Sequence, residues 1–234
     1  MPLPMVHLSI ANSILDAGYE FWDLPQFYLG SISPDAIHMR ENSNILDKNN
    51  THLVPNGRKL SSIDESECVA LVSDFINSHY DYNDMDFLWG YLLHILTDLY
   101  WTNSVYCKFV EDYRKDITPV QEERMAYYND TDQLDQFLYN ESIWRNAVWR
   151  ELHNAKCSNF LDLLTAKEIN AWNQRTLHWY DNGESQHKNP IKYITKENIG
   201  SFISSYSEKM INIMDIMSKK NNKICVDKKK KNYD

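Results

Sequence analysis

Between residues 85 and 114, apolar side chains recur at steps of three and four: Leu88, Tyr91, Leu92, Ile95, Leu99 and Tyr106. That period lines them along one face of a long α-helix, which must bury the stripe against other elements. Six Gly and seven Pro in 234 residues leave few breakers for the many turns of an all-β chain. The expectation is therefore an all-α fold, a single multi-helix domain. Its 43% hydrophobic content includes seven Trp and fifteen Tyr, enough apolar surface for one sizeable core and too much for a disordered chain.

Further helices are expected at 5–17, 62–78, 120–128, 131–155, 165–183 and 196–218. Capping boxes at Ser62-Ile63-Asp64-Glu65 and Thr165-Ala166-Lys167-Glu168 mark two of the starts. Residues 19–61 contain Pro25, Pro34, Pro55, Gly30 and Gly57 and read as the least regular stretch, too long for a simple connection. Residues 219–234, with Lys228 to Lys231 in a row, read as a flexible basic tail on a domain spanning 1–218.

Formal charge is 24 − 33 = −9, which argues against a stable nucleic-acid complex. A phosphate substrate stays open, because bound metal ions add positive charge that the sequence count omits. The start of the chain shows no basic region followed by an apolar stretch, and no run approaches a membrane span, so a cytoplasmic location is expected. Four Cys without C-x-x-C spacing are expected to be reduced thiols.

The chemistry-bearing signal is His94-Ile95-Leu96-Thr97-Asp98 inside the long helix. A spacing of four puts both side chains on one face, one turn apart, where they can converge on an ion. A hydrogen-bonded His–Asp pair filling a polar hole is the alternative. His7 adds an imidazole on an otherwise apolar helix face, where a core histidine is the bland reading. Asp35, a cap or a ligand, and His52, a surface residue or a ligand, lie on chain that can bend toward the pair. Together His7, Asp35, His52, His94 and Asp98 supply three imidazoles and two carboxylates, a set suited to zinc and open to manganese, iron or nickel. Five ligands exceed one tetrahedral site, and a shared Asp98 would let two ions use them.

Three segments resemble the bacterial zinc-dependent phospholipase C family, of the phospholipase C/P1 nuclease fold. They are Met1-Pro2-Leu3-Pro4-Met5-Val6-His7-Leu8, Leu29-Gly30-Ser31-Ile32-Ser33-Pro34-Asp35-Ala36 and Tyr91-Leu92-Leu93-His94-Ile95-Leu96-Thr97-Asp98. Tyr127-Tyr128-Asn129-Asp130-Thr131-Asp132 is similar as well, and the resemblance covers roughly residues 1–145. It implies one to three zinc ions in a cleft, the first held by Asp35, His52, His94 and Asp98. The second would be held by His7, Asp98 and the chain's amino terminus. The family's further His and His-x-x-x-acid pattern has no counterpart here, since His153, His178 and His187 lack an acid four residues on. Asp130 and Asp132 could stand in for it, or Asp130 or Thr131 could cap a helix. His38 is a possible ligand or neighbour of the site, and Arg40 a phosphate contact or a surface ion pair.

The activity implied is hydrolysis of a phosphate ester by zinc-activated water, with Asp35 both ligating metal and touching that water. A phospholipid head group, a nucleotide or another small phosphodiester would be the substrate. The alternative is a non-catalytic helical binding protein with a degenerate metal site. A phosphohydrolase of the HD type is disfavoured, because no His-Asp dipeptide occurs.

Overall fold

Two glycines decide how the central helices meet. A Cβ on Gly30 would collide with the carbonyl oxygen of Phe87, and one on Gly90 with the carbonyl oxygen of Phe27. The helices Leu24–Ile32 and Met85–Trp101 therefore pack backbone to backbone, a distance only glycine permits. The fold is seen in a computed structural model that describes residues 3–119, 121–181, 187, 189–220 and 227–228.

Among these residues the chain is all-α. In order, the helices are α1 (Pro4–Asp16), α2 (Leu24–Ile32), α3 (Ile45–Thr51), α4 (Glu65–Ser78) and α5 (Met85–Trp101). Then follow α6 (Cys107–Lys115), α7 (Glu123–Glu141), α8 (Arg145–Asn154), α9 (Ala166–His178) and α10 (Lys196–Lys220). Helix α5 is buried from Asp86 to Trp101, with α1, α2, α4 and α10 packed around it. Its start is capped by Asp84, which accepts the Phe87 N–H at 3.0 Å. Trp101 is fully buried and satisfies its indole N–H on the Tyr127 hydroxyl at 2.8 Å.

The expected helix over 85–114 forms with one change: a π-turn, Thr102–Tyr106, separates α5 from α6. The Thr165 capping box forms as expected and opens α9, whose last residue is His178; Gly183 lies outside the described residues. At α4 the cap is Asp64 instead of Ser62, accepting the Glu67 N–H at 2.9 Å. Residues 19–61 are more regular than their prolines suggested. Pro25 sits in the first turn of α2 and Pro34 in the first turn of a 3₁₀ helix, Ser33–Met39. A missing N–H costs nothing at those positions, so both prolines start helices. Asn44 then caps α3 through a reciprocal capping box with Asp47.

Helix α7 runs through the expected break at 129–130, because neither Asp130 nor Thr131 acts as a cap. The Thr131 hydroxyl donates back to the Tyr127 carbonyl at 3.0 Å, and Asp130 serves a distant segment. Most of the basic tail lies outside the described residues; Asp227–Lys228 pairs antiparallel with Tyr19–Glu20. No described helix is long and apolar enough to cross a membrane. Cys68, Cys107 and Cys157 are free thiols, and Cys225 lies outside the described residues.

Gly30→Ala or Gly90→Ala should force α2 and α5 apart and lower stability by about 1–3 kcal/mol, the range for overpacking a tight contact. Urea denaturation measures this directly, and an unchanged midpoint in both variants would contradict the backbone contact.

Candidate metal centre

Four segments converge beside the α2–α5 contact. Helix α1 brings His7, the 3₁₀ helix after α2 brings Asp35, the C-terminal cap of α3 is His52, and α5 presents His94 and Asp98 one turn apart. His7, His52, His94 and Asp98 are 1–3% exposed and Asp35 is 8% exposed. The solvent side of the cluster is the edge formed by Asp35 and the half-exposed His38.

The distances are those of groups sharing a cation. His7 Nε2 lies 3.5 Å from Asp98 Oδ1, and His52 Nε2 lies 3.4 Å from Asp98 Oδ2 and 3.4 Å from Asp35 Oδ1. His94 Nε2 stands 3.7 Å from Asp98 Oδ2 and 3.9 Å from Asp35 Oδ2. Two ligands each about 2.1 Å from a tetrahedral ion stand about 3.4 Å apart. Hydrogen-bonded His–carboxylate pairs would be nearer 2.7–2.9 Å.

Unmet bonding capacity points the same way. His7 Nδ1 and Nε2, Asp35 Oδ1, His52 Nε2, His94 Nε2 and both oxygens of Asp98 are buried and make no hydrogen bond. Each such atom costs about 1–3 kcal/mol if nothing meets it. A polar plug in a core would satisfy its own atoms; this one leaves its lone pairs facing inward. The hydrogen-bonded His–Asp reading therefore does not describe the pair on α5.

Surrounding carbonyls fix two tautomers. His94 Nδ1 lies 2.9 Å from the Ser31 carbonyl, and His52 Nδ1 lies 3.0 Å from the Lys48 carbonyl. A carbonyl only accepts, so each Nδ1 carries the proton and each Nε2 turns its lone pair into the cluster. The His7 ring stacks on that of His94, centroids 3.8 Å apart and planes within 2°. Burial holds His7 well below the usual histidine range, helped by neighbouring His94, and lowers His94 too. Burial thus favours the neutral imidazole at both, the form that binds metal. Burial pushes the Asp98 carboxyl upward. Burial opposes ionisation of Asp35 also, whereas a proton on a facing imidazole favours it and holds the carboxyl well below the usual carboxylate range.

Two ligand groups can be drawn, His7–His94–Asp98 and Asp35–His52–His94. His94 has only Nε2 free, so it serves one ion. Asp98 has two open oxygens and can face two. The residues fit a four-ligand set of Asp35, His52, His94 and one Asp98 oxygen, with His7 and the other oxygen beginning a second. The amino-terminal residues expected to complete that second set, 1 and 2, lie outside the described residues.

The other candidates are engaged elsewhere. Asp130 accepts the backbone N–H groups of Lys192 at 3.2 Å, Tyr193 at 2.7 Å and Ile194 at 2.9 Å, anchoring the chain before α10. Asp132 pairs with His187 at 3.1 Å. Neither joins the five, and among the described residues no third ligand group forms. Arg40 is a clasp between chain segments: it bonds Glu168 at 2.6 Å and the Leu163 carbonyl at 2.8 Å, tying the 3₁₀ helix to α9. Asp135, which the sequence reading passed over, accepts the Met5 N–H at 3.0 Å and the Tyr180 hydroxyl. It holds the first turn of α1, and so His7, in place, while burial pushes its carboxyl up to about 7. Its only signal was a position one residue after Leu134 on an inward face of α7.

Comparison of the chain with family models, curated proteins and solved structures finds no match.

His7→Leu separates a metal centre from a structural plug. In chelator-treated protein the substitution removes two unmet ring nitrogens and should raise stability by about 1–2 kcal/mol. In zinc-loaded protein it should lower stability, because a ligand is lost. Paired urea titrations read the crossing; the same sign in both conditions would rule out a metal role for His7.

Proposed function

We propose that this chain is a metal-dependent phosphoesterase of the phospholipase C/P1 nuclease type, hydrolysing a phosphodiester with zinc or a similar divalent ion. The observation that carries the reading is the buried cluster of three imidazoles and two carboxylates whose inward atoms have no other partner. The resemblance of the His7, Asp35 and His94–Asp98 segments supports the choice of reaction.

An ion held by this set would supply Lewis acidity, activating water near neutral pH and offsetting charge on phosphate oxygens. The protein's own work is positional. Ser31 and Lys48 carbonyls orient His94 and His52 so that their lone pairs converge, and Asp98, at the closed end, turns one oxygen toward His7 and the other toward His52 and His94. Asp35 is the ligand nearest solvent, on the side from which substrate arrives, so its carboxylate is the one placed to touch and orient an attacking water. Burial of the rest removes competing water and strengthens each electrostatic contact.

A second reading is a non-catalytic helical binding protein whose centre only holds metal. It is favoured by the engagement of Asp130 and Asp132 elsewhere, which leaves the third ligand set of the resembled family without those members.

Asp35→Asn divides the two. On a chromogenic phosphodiester such as bis(p-nitrophenyl) phosphate, the rate should fall by about a hundredfold or more while ion content is retained. Full rate with full metal content would remove Asp35 from the chemistry. No turnover by metal-loaded wild type on any phosphodiester would move the assignment to the binding protein.

A further inference from the structure

At the solvent edge of the centre stands one cation that the ligand set does not use. Lys48 lies on α3 one turn before His52, and its backbone carbonyl accepts the His52 Nδ1 proton at 3.0 Å. Its side chain, half-buried, reaches the other way, placing Nζ 3.3 Å from His38 Nε2. That same His38 nitrogen lies 3.5 Å from Asp35 Oδ1. The ammonium is thus two contacts from a metal-ligating oxygen.

Among the described residues Lys48 forms no ion pair with a carboxylate, and its ammonium contacts His38 Nε2. Its neighbour Asp47 pairs with Arg40 at 3.4 Å instead. A second donor lies close by. Trp172 of α9 packs its ring against His38, centroids 5.9 Å apart, and its indole N–H is buried without an acceptor. An indole N–H without an acceptor and an ammonium held only by an imidazole are donors that an arriving anion can use.

Charge sets the class of ligand. Two carboxylates facing two divalent ions leave a net charge of about +2, and Lys48 raises it to about +3 at an edge partly shielded from water. A neutral or cationic ligand would leave that charge unmet, whereas a phosphate-type oxyanion offsets it.

We propose that Lys48, with His38 and the Trp172 indole N–H, forms an oxyanion-receiving edge that holds phosphate oxygens against the metal centre. The inference rests on the metal-centre reading above and adds the residues that would recognise the ligand's charge. Lys48 has two roles through two groups: its carbonyl orients His52, and its ammonium receives the anion. A side-chain substitution changes only the second.

The test is calorimetric titration of zinc-loaded protein with inorganic phosphate, methyl phosphate and dimethyl phosphate, in wild type, Lys48→Met and Lys48→Arg, with metal content measured alongside. Wild type should bind at least one probe, Lys48→Met should bind it about tenfold more weakly at unchanged metal content, and Lys48→Arg should recover most of the loss. A preference for the two dianions would assign the edge to terminal phosphate groups, and equal binding of dimethyl phosphate to bridging ones. Equal affinity in Lys48→Met and wild type, with metal retained, would overturn the role of Lys48 and leave the metal centre standing. A wild-type protein that takes up no metal would overturn both.

Discussion

Helices α2 and α5 touch through their backbones at Gly30 and Gly90, and the rest of the site follows from that contact. It brings the Ser31 carbonyl to within 2.9 Å of His94 Nδ1, so helix packing also sets an imidazole tautomer. The chain leaves α2 directly into the 3₁₀ helix that carries Asp35 and delivers the carboxylate beside His94. A side chain larger than hydrogen at either glycine would move the carbonyl, the tautomer and the carboxylate together.

The cluster so built is expensive for an empty protein. Its inward atoms are buried without hydrogen bonds, in a core otherwise filled by Trp101, Tyr91, Phe27 and similar side chains. Burying unmet polar groups in such surroundings opposes folding. A divalent ion reverses the sign, since its binding energy becomes folding energy when the site exists only in the folded chain. The clasps around the site fit this view. Asp135 pins the first turn of α1, Arg40 ties the 3₁₀ helix to α9, and Asp130 holds the segment before α10. Ligands drawn from four separate segments converge only if each segment is fixed.

Much of this was legible in the sequence. Periodicity marked α5, and the spacing of His94 and Asp98 marked their shared face, because helical geometry converts spacing into direction. The five-residue set came from residue types and was drawn together by the resemblance. What the sequence hid was of two kinds. Pro25 and Pro34 looked like breaks because composition does not say whether a proline falls inside a helix or at its first turn. Asp130 and Asp132 looked available because a carboxylate's partner is fixed by distant chain: the 192–194 backbone for one and His187 for the other. Asp135 and Lys48 went unremarked for the same reason, their partners at Met5 and His38 being set by the fold.

Everything proposed for this chain depends on metal binding by the buried cluster. That binding is tested most directly by elemental mass spectrometry of untagged protein purified without chelators, with a His94→Ala variant carried in parallel. One to two divalent ions per chain, zinc foremost, are expected in the wild type, and their loss from the variant. A folded, metal-free wild type that takes up no zinc, manganese, iron or nickel would contradict metal binding.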